Sequence, residues 1–187
     1  MKINQIINVE ITSGESPPVS EPVGLQEMKD YLRLEGYVTN EDSPSDDFTF
    51  DDDLIEAMIS EARQWVEAKT WVHVIPKTIE VSARCEAGYL EFPGPVTSDI
   101  SLSDLDGNAI TDARWLGTRF PKLISTHCAP LTATYNVGYS GNSPKWVTDA
   151  IKAYVAWAYE NRGDEEAGKP DKAYQVIREH IKRPSWG

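Results

Sequence analysis

The stretch from Asp51 to Thr70, DDDLIEAMISEARQWVEAKT, constrains the fold of this chain more than any other. Leu54, Ile55, Met58, Ile59, Ala62, Trp65 and Val66 recur at spacings of three and four, with Glu56, Ser60, Glu61, Arg63, Gln64 and Glu67 between them. The spacing predicts one helix with one apolar stripe. Three aspartates at its start favour the positive end of the helix dipole, and Lys69 favours the negative end. At roughly 1.5 Å per residue the helix is about 30 Å long, and burying its stripe returns on the order of 10 kcal/mol before the entropy of ordering is subtracted. Such a helix requires a matching apolar face. KWVTDAIKAYVAWAYENR, at about 145–162, offers one through Val147, Ala150, Ile151, Tyr154, Val155 and Ala158. The expected helix core therefore sets Leu54, Ile55, Met58, Ile59, Ala62 and Val66 against those six residues. Trp146, Trp157 and Tyr159 fall off the stripe, which gives this second helix another face to cover.

Between the two helices the hydrophobic period changes to two. Ile79, Val81 and Ala83 alternate, then Leu90 and Phe92, then Ile100 and Leu102 leading into the turn Asp106-Gly107-Asn108. Weaker strands are expected around Arg114 to Leu116 and Leu123 to His127, and Leu131, Ala133, Tyr135 and Val137 share one face. The connections are too short for crossover helices, so a small antiparallel meander is predicted. Upstream, residues 2–11 read as a strand, followed by the linker SGESPPVSEPVG; the first ten residues are expected to form an arm that pairs with another chain. LQEMKDYLRL, Leu25 to Leu34, reads as a short helix. A last helix is expected over about 171–182, with Tyr174, Ile177 and Ile181 on one side, followed by the basic and aromatic tail KRPSWG.

Charge is unevenly distributed along the chain. Residues 1–60 hold 14 of the 30 acidic residues and 3 of the 18 basic ones. An acidic front third repels a polyphosphate, which argues against tight nucleic-acid binding there. No apolar run reaches the length of a membrane span, and MKINQIINVEITSGE lacks a signal-peptide pattern, so a cytoplasmic site of synthesis is expected. In such a reducing compartment Cys85 and Cys128 read as two buried thiols.

Patterns for catalysis are sparse. Gly138-Tyr-Ser-Gly lacks the spacing of a nucleophile elbow, and no phosphate-binding glycine loop is present. His73, His127 and His180 are scattered; His127 adjoins Cys128, but neighbours on a strand point to opposite faces and make a poor nucleophile and base. Glu41, Asp42, Asp46, Asp47 and Asp51 to Asp53 supply oxygen donors for a divalent cation, without the glycine and terminal glutamate of an EF-hand loop. A solvated acidic loop is the reading taken. No catalytic residue, metal or cofactor is assigned.

Three blocks together resemble the adaptor, or head-to-tail connector, proteins of long-tailed bacteriophages. LQEMKDYLRLEG is similar to that family's opening helix, with a K-x-x-L-R signature at Lys29, Leu32 and Arg33. DDDLIEAMISEARQWVEAKT resembles its acidic lead into a long helix. TATYNVGYSGNSPKWVTDAIKAYVAWAYENRG resembles its strand ending in Tyr135, Gly138 and Tyr139, a proline turn, and a helix closing on Tyr159-Glu160-Asn161-Arg162. The resemblance spans about residues 25–163. It implies an α+β, mainly helical fold: an antiparallel helix core carrying a small antiparallel β insertion at about 77–138, with extended N- and C-terminal segments. The expected division is an arm and linker (1–22), the adaptor domain (23–163) and a docking helix and tail (164–187). The resemblance also implies a homo-oligomeric ring, commonly of twelve copies, in the virion neck between portal and tail. There the ring would extend the DNA channel without sequence-specific binding and receive a stopper or tail-completion protein. Tyr174, Ile177, Arg178, Ile181, Lys182, Arg183 and Trp186 are the candidate portal-docking residues, because an end segment of mixed basic and aromatic character makes a good partner-binding strip. The competing readings are another neck component, stopper or tail-completion protein, and a small metal-binding enzyme.

Overall fold

The computed structural model describes residues 5–13, 21–34, 51–84, 89–124, 130–139, 143–164 and 168–181. In order they form β1 (Gln5–Ser13), α1 (Leu25–Leu32), α2 (Asp52–Thr70), β2 (Lys77–Arg84), β3 (Tyr89–Glu91), β4 (Ser101–Asp104), β5 (Arg114–Leu116), β6 (Lys122–Ile124), β7 (Pro130–Val137), α3 (Lys145–Glu160) and α4 (Asp171–His180). The chain divides into two compact units, each built from two separate stretches. One comprises Met1–Val19 with Trp71–Gly141, the other Ser20–Thr70 with Asn142–Gly187.

The strand-rich unit holds two antiparallel sheets, ordered β1-β2-β7-β4 and β3-β6-β5. β2 and β7 pair along their whole length, Lys77 opposite Val137 and Arg84 opposite Pro130. Their alternation puts Ile79, Val81 and Ala83 beside Tyr135, Ala133 and Leu131 on the inner face, where all six are buried. Leu90 and Leu123 come from the inner row of the second sheet, and with Phe92 they complete one core between the sheets.

This arrangement corrects the fold expected from sequence. Among the described residues 39% are helical and 29% are strand, in four helices and seven strands, so the protein is not mainly helical and the β region is more than a small insertion. The pairing order is not a meander either: of strands adjacent in sequence, β1 joins β2 and β5 joins β6, whereas β4 joins β7. The physical reason is that three of the strands are three residues long, too short to show a period, yet each adds to a second sheet that closes over the first. The N-terminal stretch forms a strand as expected, but it pairs with β2 of its own chain, Val9 opposite Val81 and Ile11 opposite Ile79.

In the helical unit α1, α2, α3 and α4 pack on one another, α3 touching all of the other three. Asp51 at the start of α2 meets Tyr159 near the end of α3, while Glu61 and Trp65 further along α2 both meet Tyr154, so the two helices run antiparallel. Ile55, Met58, Ile59, Ala62, Val66, Val147, Ala150, Ile151, Tyr154 and Val155 are buried, and Ala158 is half-buried. Leu54 differs, 39% exposed in the first turn of α2. α2 ends as Thr70 donates its hydroxyl to the Val66 carbonyl at 2.7 Å and Trp71 turns to φ +59°.

α1 stops through a backbone reversal: the amide of Arg33 donates to the Asp30 carbonyl and that of Leu34 to the Lys29 carbonyl, with Arg33 left-handed at φ +56°. Glycine has no Cβ to oppose this conformation. Arg33→Gly is therefore expected to raise stability by about 0.5–1 kcal/mol, measured as a higher midpoint in thermal unfolding.

Candidate functional site

The blocks that carry the family resemblance meet where the chain enters α2. Lys29 of α1 forms an ion pair with Asp52, the first residue of α2. Asp51 accepts two hydrogen bonds on one carboxylate oxygen, from the Tyr159 hydroxyl at 2.7 Å and from Arg162 Nη1 at 3.1 Å. The Arg162 guanidinium also lies over the Tyr159 ring, 4.2 Å from its centre. Lys152 of α3 reaches back to Glu27 of α1 at 2.6 Å. Three helices are thus tied by side chains from all three blocks: Lys29 from the opening signature, Asp51 and Asp52 from the acidic lead, and Tyr159 and Arg162 from the closing Tyr-Glu-Asn-Arg.

The Tyr159 hydrogen bond, then the Arg162 guanidinium, hold the Asp51 carboxyl below the usual aspartate range. The same bond to Asp51 raises the Tyr159 hydroxyl. A carboxylate whose folded value is depressed contributes stability above its unfolded value and loses it as pH falls through the folded one. Acidification below about pH 4 is expected to loosen this junction, and Asp51→Asn to flatten that part of the stability profile. Denaturant melts at stepped pH test this.

The cluster also bears on metal binding. Asp51 and Asp52 are engaged with Arg162, Tyr159 and Lys29, and among the described residues no three His, Cys, Asp or Glu side chains gather as metal ligands. Glu41, Asp42, Asp46 and Asp47 lie outside the described residues, as do Cys85, His127 and Cys128. His73 is half-buried in the strand-rich unit, and His180 on α4 stacks beside Trp146 at 6.3 Å.

Further along α2, Arg63 is only 5% exposed. Its Nε donates to both oxygens of Glu21, at 2.9 and 3.2 Å, and its Nη1 reaches Glu67 at 3.4 Å. Nothing in the helix period points to a buried charge at position 63; Glu67 four residues on was the one available signal. Beside it Trp65 meets the ring of Tyr154 at 5.0 Å and that of Tyr174 at 4.9 Å. Burial, together with a hydrogen bond to Glu61, pushes the Tyr154 hydroxyl up to about 12.

These contacts locate the candidate docking residues. Tyr174 turns toward Trp65 and Ile177 is buried, so the apolar side of α4 covers its own unit. Arg178 is exposed and Ile181 half-buried; Lys182, Arg183 and Trp186 lie outside the described residues. The solvent side of α4 carries Asp171, Gln175, Arg178 and Glu179 around a shallow depression.

The Tyr135, Gly138 and Tyr139 motif belongs to the strand-rich unit. The buried Tyr135 hydroxyl donates to the Pro93 carbonyl at 3.0 Å, and burial raises its pKa. Gly138 has φ +105°, with Ile75 and Pro76 pressed against the position a Cβ would take. The next amide, of Tyr139, donates to the Val74 carbonyl at 3.0 Å. The motif fastens the end of β7 to residues 74–76.

No protein-family model matches the chain, and no curated protein does. Solved structures do match in fold. A chain in the neck of an empty gene transfer agent particle, computed with C6 symmetry, is 16% identical with a TM-score of 0.69, over 97% of this chain and 98% of that one. A chain in the neck of the native particle, computed with C12 symmetry, is 14% identical with a TM-score of 0.68, over 97% and 98%. A chain in the virion of the native particle is 16% identical with a TM-score of 0.67, over 96% and 97%. The fold is therefore shared, nearly end to end, with chains of gene transfer agent particles, two of them in structures of the neck. This agrees with the connector resemblance read from the sequence blocks.

Proposed function

We propose that this chain is a structural component of a virion neck, a head-to-tail connector that assembles as a ring under the portal, extends the DNA channel and receives the next neck or tail component. The observation that carries the reading is the likeness of fold to neck chains over nearly the full length of both chains, alongside the three sequence blocks. The net charge of -12 suits a conduit, since an acidic wall gives DNA phosphates nothing to grip. A ring of twelve copies is the proposed assembly, by analogy with C12 symmetry in one of the similar structures. The proposed docking strip on the portal is Arg178, Ile181, Lys182, Arg183 and Trp186, at the end of a helix that Tyr174 and Ile177 hold on its own unit.

A second reading, a stopper or tail-completion protein, draws support from the strand-rich unit, which is large enough to be a main body in its own right. Portal binding separates the two. A connector captures purified portal directly, whereas a stopper needs an intervening ring. Replacing Arg178, Lys182 and Arg183 by Glu, with the buried Ile177 kept, is expected to weaken portal capture at least tenfold. Undiminished capture would remove the strip from the proposal, and the absence of the chain between portal and tail in intact particles would end the connector reading.

A further inference from the structure

The four-stranded sheet turns one face to the core, and its register fixes the opposite face equally well. Ile79, Val81 and Ala83 of β2 lie inward with Tyr135, Ala133 and Leu131 of β7, so the residues between them stand on the outer side. One outer row crosses all four strands as Glu10, Glu80, Thr134 and Ser101. The rows beside it are of the same kind: Ser82, Thr132 and Ser103 on one side, and Thr78 bonded to Asn136 at 2.7 Å on the other. Threonine suits a strand, so the hydroxyls alone require no further reason. Two other features do. These rows hold no aliphatic or aromatic side chain, and no base stands on the face until Arg84, the last residue of β2. Within the face Glu10 lies directly opposite Glu80, an unfavourable like-charge pair. Glu10 accepts a hydrogen bond from Asn8 Nδ2 at 2.7 Å, but neither carboxylate forms an ion pair among the described residues.

Such a face is poorly made for holding a partner. Protein interfaces draw their energy from buried aromatic and apolar anchors, and nucleic-acid surfaces from lysine and arginine. A passage for DNA sets the opposite requirements: hydroxyls and amides that hold water, and fixed negative charge that keeps phosphates from adhering. Among the described residues the other exposed faces carry bases, apolar side chains or both. The second sheet sets Arg114 beside exposed Tyr89 and Ile124. α4 shows Lys172 and Arg178, α3 begins at Lys145 and is followed by Arg162, α1 is followed by Arg33, and α2 carries Lys69 and the exposed Leu54.

We infer that the outer face of the β1-β2-β7-β4 sheet lines the DNA passage, with Glu10 and Glu80 turned to the duplex to repel its phosphates. The inference rests on the connector reading and names the surface that faces the cargo. Glu80→Lys is the decisive variant, because stability and transit respond to it in opposite directions. A lysine opposite Glu10 turns a repulsive cross-strand pair into an attractive one, so the thermal midpoint of the full chain is expected to stay level or rise. In the neck the same lysine, repeated in every copy, gives phosphates a point of attachment. Release of DNA from filled particles is expected to slow at least about tenfold at low salt and to recover as salt is raised. Gln175→Lys, on the exposed side of α4, is expected to leave release unchanged. In a second arm, a photoreactive benzophenone side chain at the exposed position 101 is expected to give DNA adducts in filled particles, and the same group at position 175 none. Normal release from Glu80→Lys particles would overturn the inference, as would equal slowing by Gln175→Lys, a fall in the thermal midpoint, or adducts from position 101 to protein alone. Heads and tails that fail to join around a folded Glu80→Lys chain would also overturn it, by making this face a contact between proteins. A chain missing from between portal and tail in intact particles rejects the connector reading; a chain present there whose Glu80→Lys variant releases DNA normally rejects this lining alone.

Discussion

Gly138→Ala is expected to lower stability by on the order of 3 kcal/mol, the cost of a strained backbone added to a steric overlap that no side-chain rotation can relieve. At φ +105° an alanine is already disfavoured, and its Cβ would lie 2.5 Å from the Ile75 carbonyl oxygen and 2.6 Å from Pro76 N. Both neighbours are main chain, so accommodation means parting the end of β7 from residues 74–76 and losing the bond between the Tyr139 amide and the Val74 carbonyl. The loss should be read in urea, with fluorescence and far-ultraviolet dichroism followed together. A destabilisation below about 1 kcal/mol would show that the contact relaxes. Gly163→Ala is a useful control, because that glycine also has positive φ, +83°, but nothing lies near its Cβ position.

Truncating Arg63 should cost about 3–5 kcal/mol, since removing one member of a buried ionic group strands the others. In Arg63→Ala the carboxylates of Glu21 and Glu67, each largely shielded from solvent, lose the guanidinium that neutralises them. Arg63→Lys keeps the charge but loses the fork that holds Glu21 through both oxygens, and should fall between wild type and alanine. The discriminating measurement is the triple replacement Arg63→Met, Glu21→Gln, Glu67→Gln. If desolvated charge is the cause, the triple variant is more stable than Arg63→Ala; if Arg63 acts only through packing, the added substitutions recover nothing.

Helices with a strong period were legible from sequence because one stripe of residues decides their burial. The expected ranges 51–70 and 145–162 became Asp52–Thr70 and Lys145–Glu160, and their pairing followed from the matching stripes. Leu54 shows the limit of the method: periodicity puts it on the stripe, but not whether a neighbouring element reaches the first turn. Strand positions were also legible; pairings were not. The alternation of Ile79, Val81 and Ala83 says which side faces inward, whereas the choice of β1 and β7 as partners of β2 depends on contacts between segments far apart in sequence. The three-residue strands gave little signal, and that is where the size of the strand-rich unit was lost. In the helical junction Asp51 and Asp52 could be read as helix-start acids, but their bonds to Arg162 and Lys29 needed the fold. The resemblance supplied the residues without a reason for them. Gly138 now has one in close backbone approach, Lys29 and Arg162 in ion pairs, and Arg33 in a left-handed helix end.

The chain's alternation between its two units has a consequence for biosynthesis. It begins one unit, leaves for the other, returns, and leaves again, so neither can be completed from a contiguous stretch of message. The Arg162 to Asp51 bond spans 111 positions, and β1 meets a partner translated after two helices have intervened. Long-range closures of this kind slow folding and defer it until most of the polypeptide has left the ribosome. A premature stop after α2 would therefore yield no stable half-protein, and full-length synthesis is itself a checkpoint on which chains become competent to fold.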